Sequence, residues 1–90
     1  MLKLGFLGAG WIGRNRMEAI LTTGEAIAAA ICDPNAEMVR QAKALAPLAL
    51  ETESLEAMLA LDLDGVVIGT PSALHADQCI EAFDSGAAVF

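Results

Sequence analysis

The sequence predicts an α/β chain built on a doubly wound parallel sheet that stops just after the start of its fifth strand. Three observations predict it. Strand-like apolar runs alternate with helix-like stretches along all 90 residues. The run Ala26–Cys32 is apolar without alternation, as in a parallel strand covered on both faces. The first strand also passes through a glycine cluster directly into a helix.

Taken in order, Leu2, Leu4 and Phe6 alternate with Lys3 and Gly5, and Leu7 leads into Gly8, which describes a short strand ending in a tight turn. A helix follows over residues 11–23, with Ile12, Arg16, Ala19 and Ile20 at helical spacing and a stop at Gly24. The second strand, Ala26–Cys32, ends at Asp33-Pro34-Asn35, and a second helix spans residues 35–45 with Met38, Val39, Ala42 and Leu45 as its apolar stripe. Residues 47–50 read as a short third strand. Ser54 is placed to cap a helix reaching Ala60, and Leu61-Asp62-Leu63-Asp64-Gly65 turns the chain into the β-branched strand at residues 66–69. After Thr70-Pro71-Ser72 a helix carries Ala76, Cys79, Ile80 and Phe83 on one face as far as Ser85, with Gly86 at the position of a C-terminal cap, and residues 87–90 begin a fifth strand.

Composition narrows the function classes. Twelve acidic residues against five basic ones give a net charge of -7, and a phosphate-neutralising surface needs clustered Lys and Arg, so nucleic acid is not an expected partner. The apolar runs fall far short of the roughly 20 residues that span a bilayer, and the N-terminus lacks the pattern of a secretory signal, so no membrane association and a cytoplasmic location are expected. Cys32 and Cys79 lie far apart, in apolar segments and outside any metal-type spacing. Both read as buried thiols, and no metal site is expected.

The stretch LGFLGAGWIGRNRM places glycines at Gly8, Gly10 and Gly13. In a β-α-β unit the first such glycine allows the turn, the second lets a pyrophosphate approach the backbone, and the third lets helix and strand pack closely. The helix N-terminus then offers free N–H groups and the positive end of its dipole to the phosphates. An acidic residue should end the second strand about 20 residues on, where it accepts ribose hydroxyls. Asp33, 20 residues past Gly13, stands there. Two plainer readings stay open: the glycines could serve packing alone, and Asp33 could cap the helix that follows it. Trp11 could simply cover the turn. Arg14 and Arg16 read as solvated, with Arg14 alone near the phosphate end.

Together with AAAICDPN, LDLDGVVIGTPSALHAD and AFDSGAAVF, this stretch makes the whole chain resemble the Gfo/Idh/MocA family of NAD(P)-dependent sugar and polyol dehydrogenases, at their Rossmann-like cofactor domain. The Thr-Pro that ends the fourth strand, followed by His75, is the more specific part. The resemblance implies that Gly8, Gly10, Trp11, Ile12 and Gly13 form the pyrophosphate loop and that Asp33 meets the adenosine ribose. It implies that Thr70, Pro71 and Ser72 line the cofactor pocket, and that His75 begins the next helix beneath the nicotinamide. Many members carry Asn at the position of Ser72, and His75 could equally be a first-turn histidine bonded to backbone. The cofactor implied is NAD, with NADP disfavoured because the Asp33 carboxylate repels a 2'-phosphate and Pro34 and Asn35 bring no cation.

Family members continue past the fifth strand with a Glu-Lys-Pro segment, whose Lys acts in proton transfer, and a larger substrate domain. Residues 1–90 therefore read as a cofactor-domain fragment without a catalytic residue of its own. Hydride transfer to or from a sugar, polyol or related hydroxyl compound is expected only of a full-length parent, which alone would take the small-molecule substrate. The alternative is a non-catalytic dinucleotide-binding or sensing module, with a methyltransferase-like domain as a weaker third reading. An open edge at residues 87–90 adds the expectation of a homo-oligomer.

Overall fold

A computed structural model of the chain describes residues 1–70, 72–84, 86 and 88–89, with backbone alone for 72–76 and 83. The elements run β1 (Leu2–Leu7), α1 (Trp11–Thr22), β2 (Ala26–Cys32), α2 (Ala36–Leu45), β3 (Leu50–Glu51), α3 (Leu55–Leu59), β4 (Gly65–Ile68), α4 (Ser72–Asp84) and β5 (Ala88–Val89). All strand pairs are parallel, in the order β3-β2-β1-β4-β5. The order reverses between β1 and β4, so their carboxyl ends open a crevice, the place where sheets of this kind hold ligands.

Local chemistry sets most boundaries. Asn35 caps α2 by accepting from the N–H groups of Glu37 (2.9 Å) and Met38 (3.3 Å), and Ser54 caps α3 by accepting from Ala57 at 3.0 Å. Asp64 joins β4 to β1 twice: its N–H donates to the Lys3 carbonyl at 2.8 Å, and its carboxylate accepts from the Lys3 N–H at 2.7 Å.

The core lies in two layers. Leu4, Phe6 and Val67 pack with Met17 of α1 and Val39 and Ala42 of α2 on one face of the sheet. Leu7, Val66 and Ile68 pack with Leu55 and Met58 of α3 and with Cys79 of α4 on the other. A register shift in β2 decides how its residues divide between them. Leu4 pairs with Ala28 and Gly5 with Ala30, leaving Ala29 as an extra residue. Ala26 and Ala28 therefore share a layer with Ile31, while Ala30 and Cys32 join the other. A bulge of one residue reverses the parity of everything beyond it.

Several expectations need correction. The third strand is not residues 47–50: Pro47 has no N–H to donate, Pro47 and Leu48 form a turn, and pairing begins at Leu50 opposite Ala30. α1 docks through Gly13, Met17, Ile20 and Leu21, whereas Ile12, Arg16 and Ala19 are exposed. In α2 Leu45 is exposed and Ala46 is buried in its place. In α4 Ile80 is exposed while Ala82 is buried; the side chains of Ala76 and Phe83 lie outside the described residues, as do Ser85, Ala87 and Phe90.

The two cysteines are both free, but only Cys32 is buried and Cys79 is half-buried. Burial pushes the Cys32 thiol above its ordinary range; the Thr52 hydroxyl opposes that rise and the charge of Asp33 adds to it. Iodoacetamide should therefore label Cys79 well before Cys32 in the folded chain, since the thiolate is the reactive form. Peptide mapping over a time course checks this, and equal labelling rates would contradict the burial argument.

Candidate functional site

The site starts from the carboxyl ends of β1, β2 and β4, which are laced together. The Gly8 N–H donates to the Cys32 carbonyl at 2.8 Å and the Gly69 N–H to the Leu7 carbonyl at 2.7 Å. Three glycines meet at this junction. Gly8 has φ +94°, and a Cβ on it would stand 2.7–2.9 Å from backbone atoms of Gly69 and Thr70. A Cβ on Gly13 would land on the Gly8 carbonyl oxygen, and one on Gly69 would stand 2.9 Å from the Gly13 Cα. Gly8, Gly13 and Gly69 thus let α1 seat directly on the sheet. Gly69 was not among the residues singled out in the sequence, although its place directly after the β4 run was the available signal.

Gly10 differs from the other two motif glycines. Nothing lies within 4 Å of the position its Cβ would take, so packing does not explain it. It is the N-cap of α1, supplies no side-chain acceptor, and is followed by no acidic residue in the first turn. The first-turn N–H groups, which no intrahelical partner satisfies, therefore keep the positive end of the helix dipole uncovered. This end borders a cleft of about 830 Å³. Trp11 and Ile12, 74% and 57% exposed, line the same side.

Asp33, half-buried at the end of β2, lines the cleft beyond the loop. One carboxylate oxygen accepts from the Ala9 N–H and the other from the Asn35 N–H, both at 2.8 Å. The carboxylate is thereby fixed between the glycine loop and the start of α2, and each oxygen retains lone-pair capacity for a further donor. It is not the helix cap, a role that falls to Asn35.

The far side of the cleft comes from Pro34, from Ser54 and Leu55 at the start of α3, and from Thr70 and Gln78. Thr70 is half-buried, and its hydroxyl donates to Gln78 Oε1. Gln78 has no motif to mark it and enters the site only because α4 packs beside β4. Pro71 lies outside the described residues. Ser72 and His75 take the first and fourth positions of α4, and their side chains lie outside the described residues too.

The two arginines are engaged rather than simply solvated. Arg14 donates from Nη1 to the Ala9 carbonyl and to Met38 Sδ, both at 3.2 Å, and borders a separate recess of about 300 Å³ between α1 and α2. Arg16 donates to the Ile68 carbonyl at 3.0 Å, at the end of β4.

Comparison with known proteins agrees with this architecture. Residues 2–90 match the family described as Gfo/Idh/MocA, oxidoreductase family, NAD-binding Rossmann fold. An inositol 2-dehydrogenase of Acidiphilium cryptum is 38% identical over 99% of this chain and 27% of its own length. The crystal structure of the WlbA dehydrogenase of Bordetella pertussis, in complex with NADH and UDP-GlcNAcA, matches 98% of this chain and 28% of its own at 38% identity, with a TM-score of 0.88. The UDP-N-acetylglucosamine 3-dehydrogenase GnnA of Acidithiobacillus ferrooxidans matches with a TM-score of 0.79 at 27% identity, over 98% of this chain and 28% of its own. The chain thus spans a little over a quarter of the length of these relatives. With the strand order, the glycine junction and the match over residues 2–90 in hand, the chain belongs to the Gfo/Idh/MocA oxidoreductase family, at its NAD-binding Rossmann fold.

Proposed function

We propose that residues 1–90 form the cofactor domain of an oxidoreductase that moves hydride between a nicotinamide and a hydroxyl-bearing carbon of a sugar, cyclitol or related compound. The observation that carries this reading is the open backbone at Gly10 under an uncapped helix N-terminus, with a fixed carboxylate at Asp33 across the same cleft. The nicotinamide supplies the hydride chemistry when bound; the chain's own residues hold and aim it. Gly10, Trp11 and Ile12 would face the pyrophosphate, Asp33 the adenosine ribose hydroxyls, and Thr70, with Pro71, Ser72 and His75, the remainder of the cofactor. Gly8 and Gly13 would support that loop from beneath. A sugar or cyclitol substrate is supported by the names of the relatives, an inositol 2-dehydrogenase and a UDP-N-acetylglucosamine 3-dehydrogenase among them. Assembly as a homo-oligomer in the cytoplasm completes the proposal.

The test is cofactor choice. Asp33 would repel a 2'-phosphate, and the nearby guanidinium of Arg40 is already held by Glu37 through Nε at 2.8 Å and through Nη2. NADH should therefore bind at least ~10-fold more tightly than NADPH, a difference of about 1.4 kcal/mol. Quenching of Trp11, the sole tryptophan of the sequence and a residue of the cleft, gives both constants in this chain. A preference for NADPH would reject the role given to Asp33, and saturable binding of neither would reject the site.

A further inference from the structure

We propose that Gln78 reads the purine of the bound cofactor, its carboxamide pinned by Thr70 so that Nε2 donates to a ring nitrogen of the adenine. The inference rests on the dinucleotide reading of the cleft and goes beyond it by assigning the base.

Gln78 is half-buried and lines the cleft together with Leu7, Cys32, Pro34 and Leu55, which offer a base only apolar surface. A carboxamide brings one acceptor oxygen and two N–H donors. The Thr70 hydroxyl occupies the oxygen, and among the described residues nothing accepts from Nε2. Nε2 is therefore a donor at the wall of the cleft, available to a ligand that brings an acceptor. If Gly10 faces the pyrophosphate and Asp33 the ribose, the base on that ribose must enter the part of the cleft remaining beyond Asp33, between Pro34, Leu55 and Gln78. Adenine suits such a slot: it has two flat apolar faces, and its unsubstituted ring nitrogens all accept hydrogen bonds. Thr70 then acts as the positioning residue, holding the carboxamide plane ready for the base.

Calorimetric titration of the full chain with ADP and with its 1-deaza, 3-deaza and 7-deaza analogues tests this. Gln78→Ala should weaken ADP by roughly 3- to 10-fold, the range of a single net hydrogen bond. One deaza analogue, the one lacking the contacted nitrogen, should bind the unmodified chain more weakly by a similar factor and lose nothing more in the Gln78→Ala chain. A merely structural role for Gln78 would not be selective for one ring atom. Gln78→Glu keeps the shape, removes the donor and should behave as the alanine variant does, which preserves the test should Gln78→Ala fail to fold. If ADP binds and no analogue shows coupling to residue 78, this assignment falls while the cleft reading stands. If the unmodified chain binds neither ADP nor NADH, the cleft reading falls and takes the assignment with it.

Discussion

Gly13→Ala should destabilise the fold, whereas Gly10→Ala should leave it intact and still remove cofactor binding. The added methyl at Gly13 lands on the Gly8 carbonyl oxygen, with the Gly8 carbonyl carbon 2.9 Å away. These are main-chain atoms of the turn directly after β1, so no side chain can rotate away, and relief requires α1 to lift off the sheet. Forcing extra volume into such a contact costs about 1–3 kcal/mol, which for a domain of this size lowers Tm by roughly 5–20 °C. At Gly10 the methyl meets nothing within 4 Å and the backbone is extended, at φ -69° and ψ -172°. Thermal melts of the two variants should therefore separate, with Gly10→Ala close to the unmodified chain. NADH affinity should fall at least ~10-fold in Gly10→Ala, about 1.4 kcal/mol, because the methyl occupies the space through which a pyrophosphate reaches the backbone. Unchanged affinity in that variant would mean that the glycine loop serves packing alone.

Asp33→Ala carries the second large effect, and it acts twice. A charged hydrogen bond to the ribose contributes ~1.5–3 kcal/mol, so NADH should bind about 10- to 150-fold more weakly. The same change strips the Ala9 N–H of its acceptor, and Ala9 is fully buried; an unsatisfied buried donor costs about 1–3 kcal/mol of stability. Selectivity separates the two effects. Loss of the carboxylate should collapse the preference for NADH over NADPH, which a general loosening of the loop would leave in place. Asp33→Asn, which keeps an acceptor oxygen, should restore part of the stability without restoring the full preference. Titration of both cofactors into both variants, beside thermal melts, gives the comparison. A preference that survives in Asp33→Ala would assign cofactor choice to other residues.

Much of this chain was legible because its signals are local. The order of elements follows from runs and breaks only a few residues long, and the chemistry of Asn35, Ser54 and the glycines acts within one turn. The strand-loop-helix around Gly8 and Gly13, and the acidic end of β2, could be read as spacing alone. Their purposes could not be separated that way: Gly8 and Gly13 are filled by neighbouring backbone while Gly10 faces open space, a distinction that depends on where β4 and Gly69 arrive. The run AIAAAIC shows no contrast of polarity along its length, so nothing in it announced the extra residue at Ala29 or the face on which Cys32 lies. The buried stripe of α1 was misread for a related reason. Gly13 has no side chain to register as apolar, yet it is the point through which the helix docks. Gln78 sits eight residues beyond Thr70, and only the packing of α4 beside β4 brings the two side chains together. The sequence by itself determined the elements, their order and the polar groups at the strand ends, because hydrogen bonding and backbone freedom act over neighbouring residues. Only the tertiary structure decided which faces are buried and which side chains share the cleft, because those depend on the register and close approach of elements distant in the chain.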